Sequence, residues 1–269
     1  MTKYSFDTKK IIIYTLIIIA LLAGYYYNTY SMIDNFIYDN YQKLEYIFSS
    51  KDKSSEVTIV GINQLTYNQL SEWPLDRNYY VDAIEKLNSD GANIIAFNLL
   101  FDEAQDAQAD SLMIDRLRDN KNIVMPVQID YSLASEGSKT DYTVNEVRAP
   151  LSSFKNLVKL GHINFISEQD GKVRNLPPLF IDNNTSYIPL SRRAAEMALE
   201  EEITITEGEY LINFLGPSGT LPHIALHDYL NDNYNPELIQ DKIILFGVTE
   251  GERAAQYASI FANDTGFSE

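Results

Sequence analysis

The sequence predicts an α/β protein: an N-terminal transmembrane helix followed by one extracytoplasmic α/β domain, built on a mainly parallel sheet with added hairpins. Three observations carry this. Residues 11–27 read IIIYTLIIIALLAGYYY, a run of 17 residues without a charge. From residue 57 onward, short β-branched runs alternate with helical patterns in the order β-α-β-α-β, the arrangement of a parallel sheet with helices on its faces. No second apolar run reaches membrane length, so the chain is expected to cross once and stay outside.

At ~1.5 Å per residue the uncharged run spans about 25 Å, just long enough for a bilayer. Tyr25, Tyr26, Tyr27 and Tyr30 cluster at its far end, where tyrosine rings suit a membrane interface. Lys3, Lys9 and Lys10 precede it, and the next basic residue is Lys43. That asymmetry places the N-terminus in the cytoplasm and the body in the periplasm of a bacterial inner membrane. A cleaved signal peptide is the competing reading; bulky tyrosines stand where a small-residue cleavage site would be needed. Residues 31–49 then set Ile33, Phe36, Ile37, Tyr41, Leu44, Ile47 and Phe48 at spacings of three and four, with Asp34, Asp39, Lys43 and Glu45 mostly off that stripe. This helix is expected to pack on the domain, as a docking stalk or as a lever; the sequence supports both.

In the body, VTIVGI (57–62), ANIIAFNLLF (92–101) and NIVMPVQI (122–129) read as buried strands. Between them lie helices over 78–88, stopped by Asp90-Gly91, and over 111–120, with Leu112, Ile114 and Leu117 inward. Residues 130–158 read as a long irregular excursion. GHINFI (161–166) and GKVRNLPPLF (171–180) form a hairpin around a Gln-Asp-Gly turn, and a helix covers 188–202. ITI and YLINFL (203–215) flank Glu207-Gly208 as a second hairpin. A short helix at 227–231 precedes the last strand, KIILFGV (242–248). The divisions are a cytoplasmic stub (1–10), an anchor (11–30), a stalk (31–50), the domain (56–250) and a tail (251–269).

The chain carries a formal charge of −17, and the body beyond the first ten residues −19. Such a body repels phosphate backbones, which excludes nucleic acid as a partner. With no cysteine there is no disulfide and no thiol chemistry. His223 and His227 would share one face of a helix as a metal pair, but Pro222 argues against a regular helix and no third ligand is placed, so no metal is expected. GPSG (216–219) lacks the residues of a phosphate loop, and neither a nucleophile elbow nor a zinc-protease motif occurs. No cofactor is expected. The sequon at Asn183-Asn184-Thr185 has meaning only in a eukaryotic secretory route. The more specific feature is Trp73-Pro74-Leu75-Asp76-Arg77, in the loop after the first strand and thus at the carboxyl edge of a parallel sheet. Trp73 is either a packing plug or a ligand wall, with Arg77 as a bidentate clamp. Asn63, at the end of the first strand, and Asn98, within the second, lie near the same edge, and Arg253 follows a glycine turn after the last strand; all five are candidate ligand residues.

The ordered blocks FIYDNYQKLEY (36–46), VTIVGIN (57–63), WPLDR (73–77), GANIIAFNLLFDE (91–103), GHINFISEQDGKVRNLP (161–177), INFLGPSG (212–219) and DKIILFGVT (241–249) resemble the second type of CHASE domain, an extracytoplasmic sensory domain of bacterial signalling proteins. The resemblance implies an N-terminal membrane helix, an external α/β sensing domain, and then returning helices and a cytoplasmic output. Amides at Asn63 and Asn98 stand where the family commonly has acids, which weakens any cation site there. The expectation is a membrane-anchored sensor that takes a small-molecule ligand, works as a homodimer or with a membrane signalling partner, and has no turnover of its own. It is either one part of a longer protein or a stand-alone sensor. The alternatives are a tethered envelope hydrolase and a structural subunit of an envelope complex.

Overall fold

The structure is a computed structural model that describes residues 8–26, 29–48, 56–70, 73–136, 139–177, 179–204, 210–250 and 258–261. Arg253, Tyr27, most of the linker before residue 56 and the Glu207-Gly208 turn lie outside them. The chain divides into two units, Met1–Lys51 and Asp52–Glu269.

The first unit consists of two helices, α1 (Thr8–Tyr26) and α2 (Thr29–Phe48). The large apolar side chains of α1 from Ile12 to Leu22 are 49–62% exposed on all sides. Among the described residues no helix is long and apolar enough to cross a membrane. α2 covers the expected stalk, but its sides are reversed. Asp39 and Gln42 are buried, while Ile33, Phe36, Ile37, Tyr41, Leu44, Ile47 and Phe48 stand at least half exposed. The apolar stripe expected to be packed away is open.

The second unit begins with β1 (Val57–Ile62) and runs at once into an unexpected short helix, α3 (Gln64–Gln69), because Asn63 caps it. α4 (Arg77–Ser89) starts at an Asp76 cap, and its chain leaves through Gly91 at φ +82°, a conformation that favours glycine. After β2 (Ile94–Asn98), α5 (Ala107–Asp119) begins four residues earlier than expected, since the Asp106 carboxylate accepts from the Gln108 and Ala109 amides. Its buried row is Ala109, Met113 and Leu117; Leu112 falls about 100° round the helix and is 40% exposed.

β3 (Ile123–Glu136) corrects the reading of 130–158 as an excursion. Its outer half pairs antiparallel with β4 (Lys139–Arg148). The alternation of Ile129, Tyr131 and Leu133 with polar neighbours suits such a two-faced strand. α6 (Ser152–Lys155) and β5 (Lys159–His162) follow. Of the expected hairpin of 161–166 with 171–180, only β6 (Ile166–Ser167) and β7 (Val173–Leu176) pair; residues 159–162 join the main sheet and Phe180 enters the next hairpin. β8 (Phe180–Asp182) and β9 (Thr185–Tyr187) form another around Asn183 and Asn184, both with positive φ. That pair matches a two-residue hairpin turn, which the sequon reading passed over. α7 (Leu190–Leu199) stops three residues before the expected end, with Glu200 left-handed. β10 (Tyr210–Leu211) pairs with β7; Ile203 and Thr204 are not in a strand, and the rest of the expected second hairpin's first arm and its turn lie outside the described residues. β11 (His223–Ala225), α8 (Leu226–Leu230) and β12 (Ile243–Val248) complete the unit.

The main sheet has the order β11-β1-β12-β2-β3, all parallel, with β5 parallel to β3 and β4 antiparallel to it. The last strand in sequence thus sits between the first two. One face carries Val60, Ile62, Phe97 and Phe246 and packs against residues of α4, α5, α6 and α8 in the principal core. The other face carries Ile94, Ala96 and Val124 under Leu190 and Ala194 of α7.

Candidate functional site

The carboxyl ends of β1, β12 and β2 lie side by side, and at one level Gly61, Gly247 and Asn98 are register neighbours. Two polar groups flank them. The first is closed. Asn63 Oδ1 accepts from both the amide and the hydroxyl of Thr66, each at 2.9 Å, which fixes the start of α3. Thr66 Oγ1 lies 3.1 Å from His227 Nδ1. With the hydroxyl proton committed to Asn63, Nδ1 must be the donor in that contact. His227 Nε2 then faces Asp228 Oδ2 at 3.5 Å. This hydroxyl–imidazole–carboxylate order resembles a nucleophile with its base, but Thr66 is 0% exposed. Its oxygen has no approach for a substrate, and the group serves as a brace between β1 and α8.

The second group is open. A Cβ placed on Gly61 would lie 2.2 Å from His223 Nε2 and 2.6 Å from Thr249 Oγ1. The imidazole and the hydroxyl therefore sit directly over the strand backbone, 3.5 Å from each other. Thr249 is held there by its amide, which donates to Ile62 O at 3.1 Å. A Cβ on Gly247 would meet Asn98 Cβ at 3.3 Å. The result is a glycine floor bordered by His223, Thr249 and Asn98, of which His223 and Asn98 are exposed. Its side chains offer hydrogen-bond donors and acceptors at the carboxyl edge of the sheet, over glycine backbone that the imidazole and the hydroxyl cover, a chemistry suited to a small polar molecule. The sequence spacing sets His223 only beside His227, as a helical pair. The structure puts it in β11 and His227 in α8, so the two do not share a helical face. The missed signal was Gly61 inside a strand, which marks a close approach.

The Trp73–Arg77 loop takes its packing role. The Trp73–Pro74 peptide is cis, and the Trp73 ring stands edge-on to Tyr67 with centroids 6.2 Å apart, against the principal core. Arg77 is 2% exposed. Its Nε lies 2.8 Å from Asp110 Oδ1, its Nη2 donates to Glu103 O at 2.8 Å, and its backbone N donates to Gln105 Oε1. The guanidinium also lies over the Phe101 and Phe154 rings, 5.4 and 5.1 Å from their centroids. Burial pulls its pKa down and Asp110 opposes that fall, so the charge is engaged inside the protein. The four described candidates thus do not converge. Asn63 is a cap, Arg77 is buried, Trp73 is half-buried against the principal core, Arg253 is outside the described residues, and Asn98 borders the glycine floor. Among the described residues no group of three or more His, Asp or Glu side chains could hold a metal ion.

A family model described as "CHASE2 domain" matches residues 13–262 of this chain. Comparison with curated proteins and with solved structures finds no match.

Proposed function

Since the chain belongs to the CHASE2 domain family, a family of sensory domains in signalling proteins, we propose that it is the extracytoplasmic sensor of a membrane-anchored signalling system. The observation that carries this is the extent of the match, residues 13–262, which leaves little of the chain outside the sensory domain. Anchoring through Ile11–Tyr27 is supported by the uncharged run, by the lysines before it and by apolar side chains exposed on every side of α1. The ligand site is the polar rim of the buried Gly61–Gly247 floor, formed by His223, Thr249 and Asn98. A molecule held at the exposed His223 and Asn98 side chains bears on the ends of β11 and β2, so two packings of the domain differ first at that edge of the sheet. The signal passes to a cytoplasmic output or a membrane partner, and this chain itself turns over no substrate.

Two measurements test the reading. The chain has no cysteine, so Asp82→Cys on the exposed side of α4 gives a single label site. A membrane-impermeant thiol reagent should label it on intact spheroplasts; labelling only after lysis would refute the placement. A panel of small polar compounds should include one that stabilises the full chain by the order of 1–3 kcal/mol, an effect that substitution of the exposed His223 (His223→Ala) abolishes. No stabilising compound, together with a stoichiometric protein partner in mild detergent, would favour the structural-subunit alternative.

A further inference from the structure

The reversed sides of α2 point to a partner. Counting Ile37 and Leu44 as a positions of a heptad, Ile33, Asn40 and Ile47 fall at d, Tyr41 and Phe48 at e, and Phe36 at g. Every one of these is exposed, whereas the positions that face water in an ordinary coiled coil, occupied by Asn35, Tyr38, Asp39, Gln42, Glu45 and Tyr46, are buried or half-buried. The open face is therefore an a/d seam widened by aromatic residues, not a scatter of apolar side chains.

We propose that this face is a homodimer seam, in which two copies of the chain pair α2 against α2 in parallel. The inference stands on α2 alone and does not depend on the sensor reading. Three observations select a second copy as the occupant. The apolar residues of the seam are 50–79% exposed. The seven of them offer on the order of 800 Å² per chain, comparable with the ~800 Å² per partner of a standard interface. A lipid surface is the poorer fit: helices that lie on membranes carry lysine and arginine on their polar side, whereas α2 carries Lys43 against Asp34, Asp39 and Glu45. The 4-3-4-3 spacing of residues 33, 37, 40, 44 and 47 is that of a partner helix, and Asn40 in the seam is the kind of polar residue that fixes register. Parallel pairing keeps both α1 helices at one end. The seam is about 16 residues long, or ~24 Å, which suits a reversible contact rather than a permanent one.

Single cysteines in the otherwise cysteine-free full chain give the test. Oxidised in cells, Ile33→Cys, Ile37→Cys, Leu44→Cys and Ile47→Cys should each form a disulfide-linked dimer, and Asp39→Cys and Gln42→Cys should not. In mild detergent, light scattering should give a dimer for the native chain and a monomer for Ile37→Glu/Leu44→Glu with an unchanged far-UV circular dichroism spectrum. Cross-linking without the periodicity overturns the proposal. So does a monomeric native chain that forms no cross-links, the result expected if lipid or the chain's own domain covers the face.

Discussion

At the residue scale, burial decides what a titratable side chain does. His162 is 1% exposed, lies edge-on to Phe180 at 4.9 Å and accepts the Asn164 amide on Nδ1. Burial pulls its pKa down to about 4, with a Pro177 carbonyl opposing. Between pH 6.5 and 4 the unfolded chain binds this proton and the folded chain does not. Stability must therefore fall as pH falls through that window, by up to about 3 kcal/mol, and level off below it. Urea unfolding of the chain at steps from pH 7.5 to 4 should show the loss, and His162→Gln should flatten it. Asp170, held down to about 2 by its hydrogen bond to Arg174, contributes its own loss only below about pH 4, so the two windows are separable. An unchanged slope in the variant would show that other groups carry the acid sensitivity.

Helices and strands are joined here by single polar side chains, and Arg77 is the clearest. It sits at the start of α4, pairs with Asp110 of α5, caps the Glu103 carbonyl and stacks on Phe154 of α6. Arg77→Leu should destabilise by roughly 3 kcal/mol, because it removes a buried guanidinium with its contacts and leaves the half-buried Asp110 without its counter-charge. Arg77→Leu/Asp110→Leu should recover much of that loss, read by urea unfolding. Equal losses in the single and double variants would mean that the contacts to Glu103 and the rings, not the ion pair, hold these helices. The long β3–β4 hairpin is held differently. Tyr131, Tyr142 and Phe180 form a ring cluster with centroids 5.0–5.4 Å apart, and a bulge at Asn145, where Asp130 and Tyr131 pair with Glu146 and Val144, sets which side chains enter it.

For the whole molecule the dominant quantity is charge. A formal −17 makes the folded state repel itself, and ion pairs offset this locally, as Lys86 does between Asp90 and Asp232. Adding salt from about 0.02 to about 0.3 M shortens the range of that repulsion to well under the size of the domain. The melting temperature should rise, by about 2–4 °C for each ~1 kcal/mol gained, as scanning calorimetry would read. A fall would mean that attractive pairs outweigh net repulsion.

The sequence by itself determined the parallel α/β plan, the family, and the positions of β1, α4, β2 and β12, because long apolar runs and helix stops are local signals. WPLDR was legible as a special loop. The choice between plug and ligand wall was not, since it depends on Asp110, Glu103 and Phe154, which reach Arg77 only through the fold. Tertiary structure alone assembled His223 and Thr249 over Gly61, three residues from strands and loops far apart in the chain. It also decided which side of α2 stays open. Periodicity reveals that a helix has two faces, but which face is covered depends on what lies beside it.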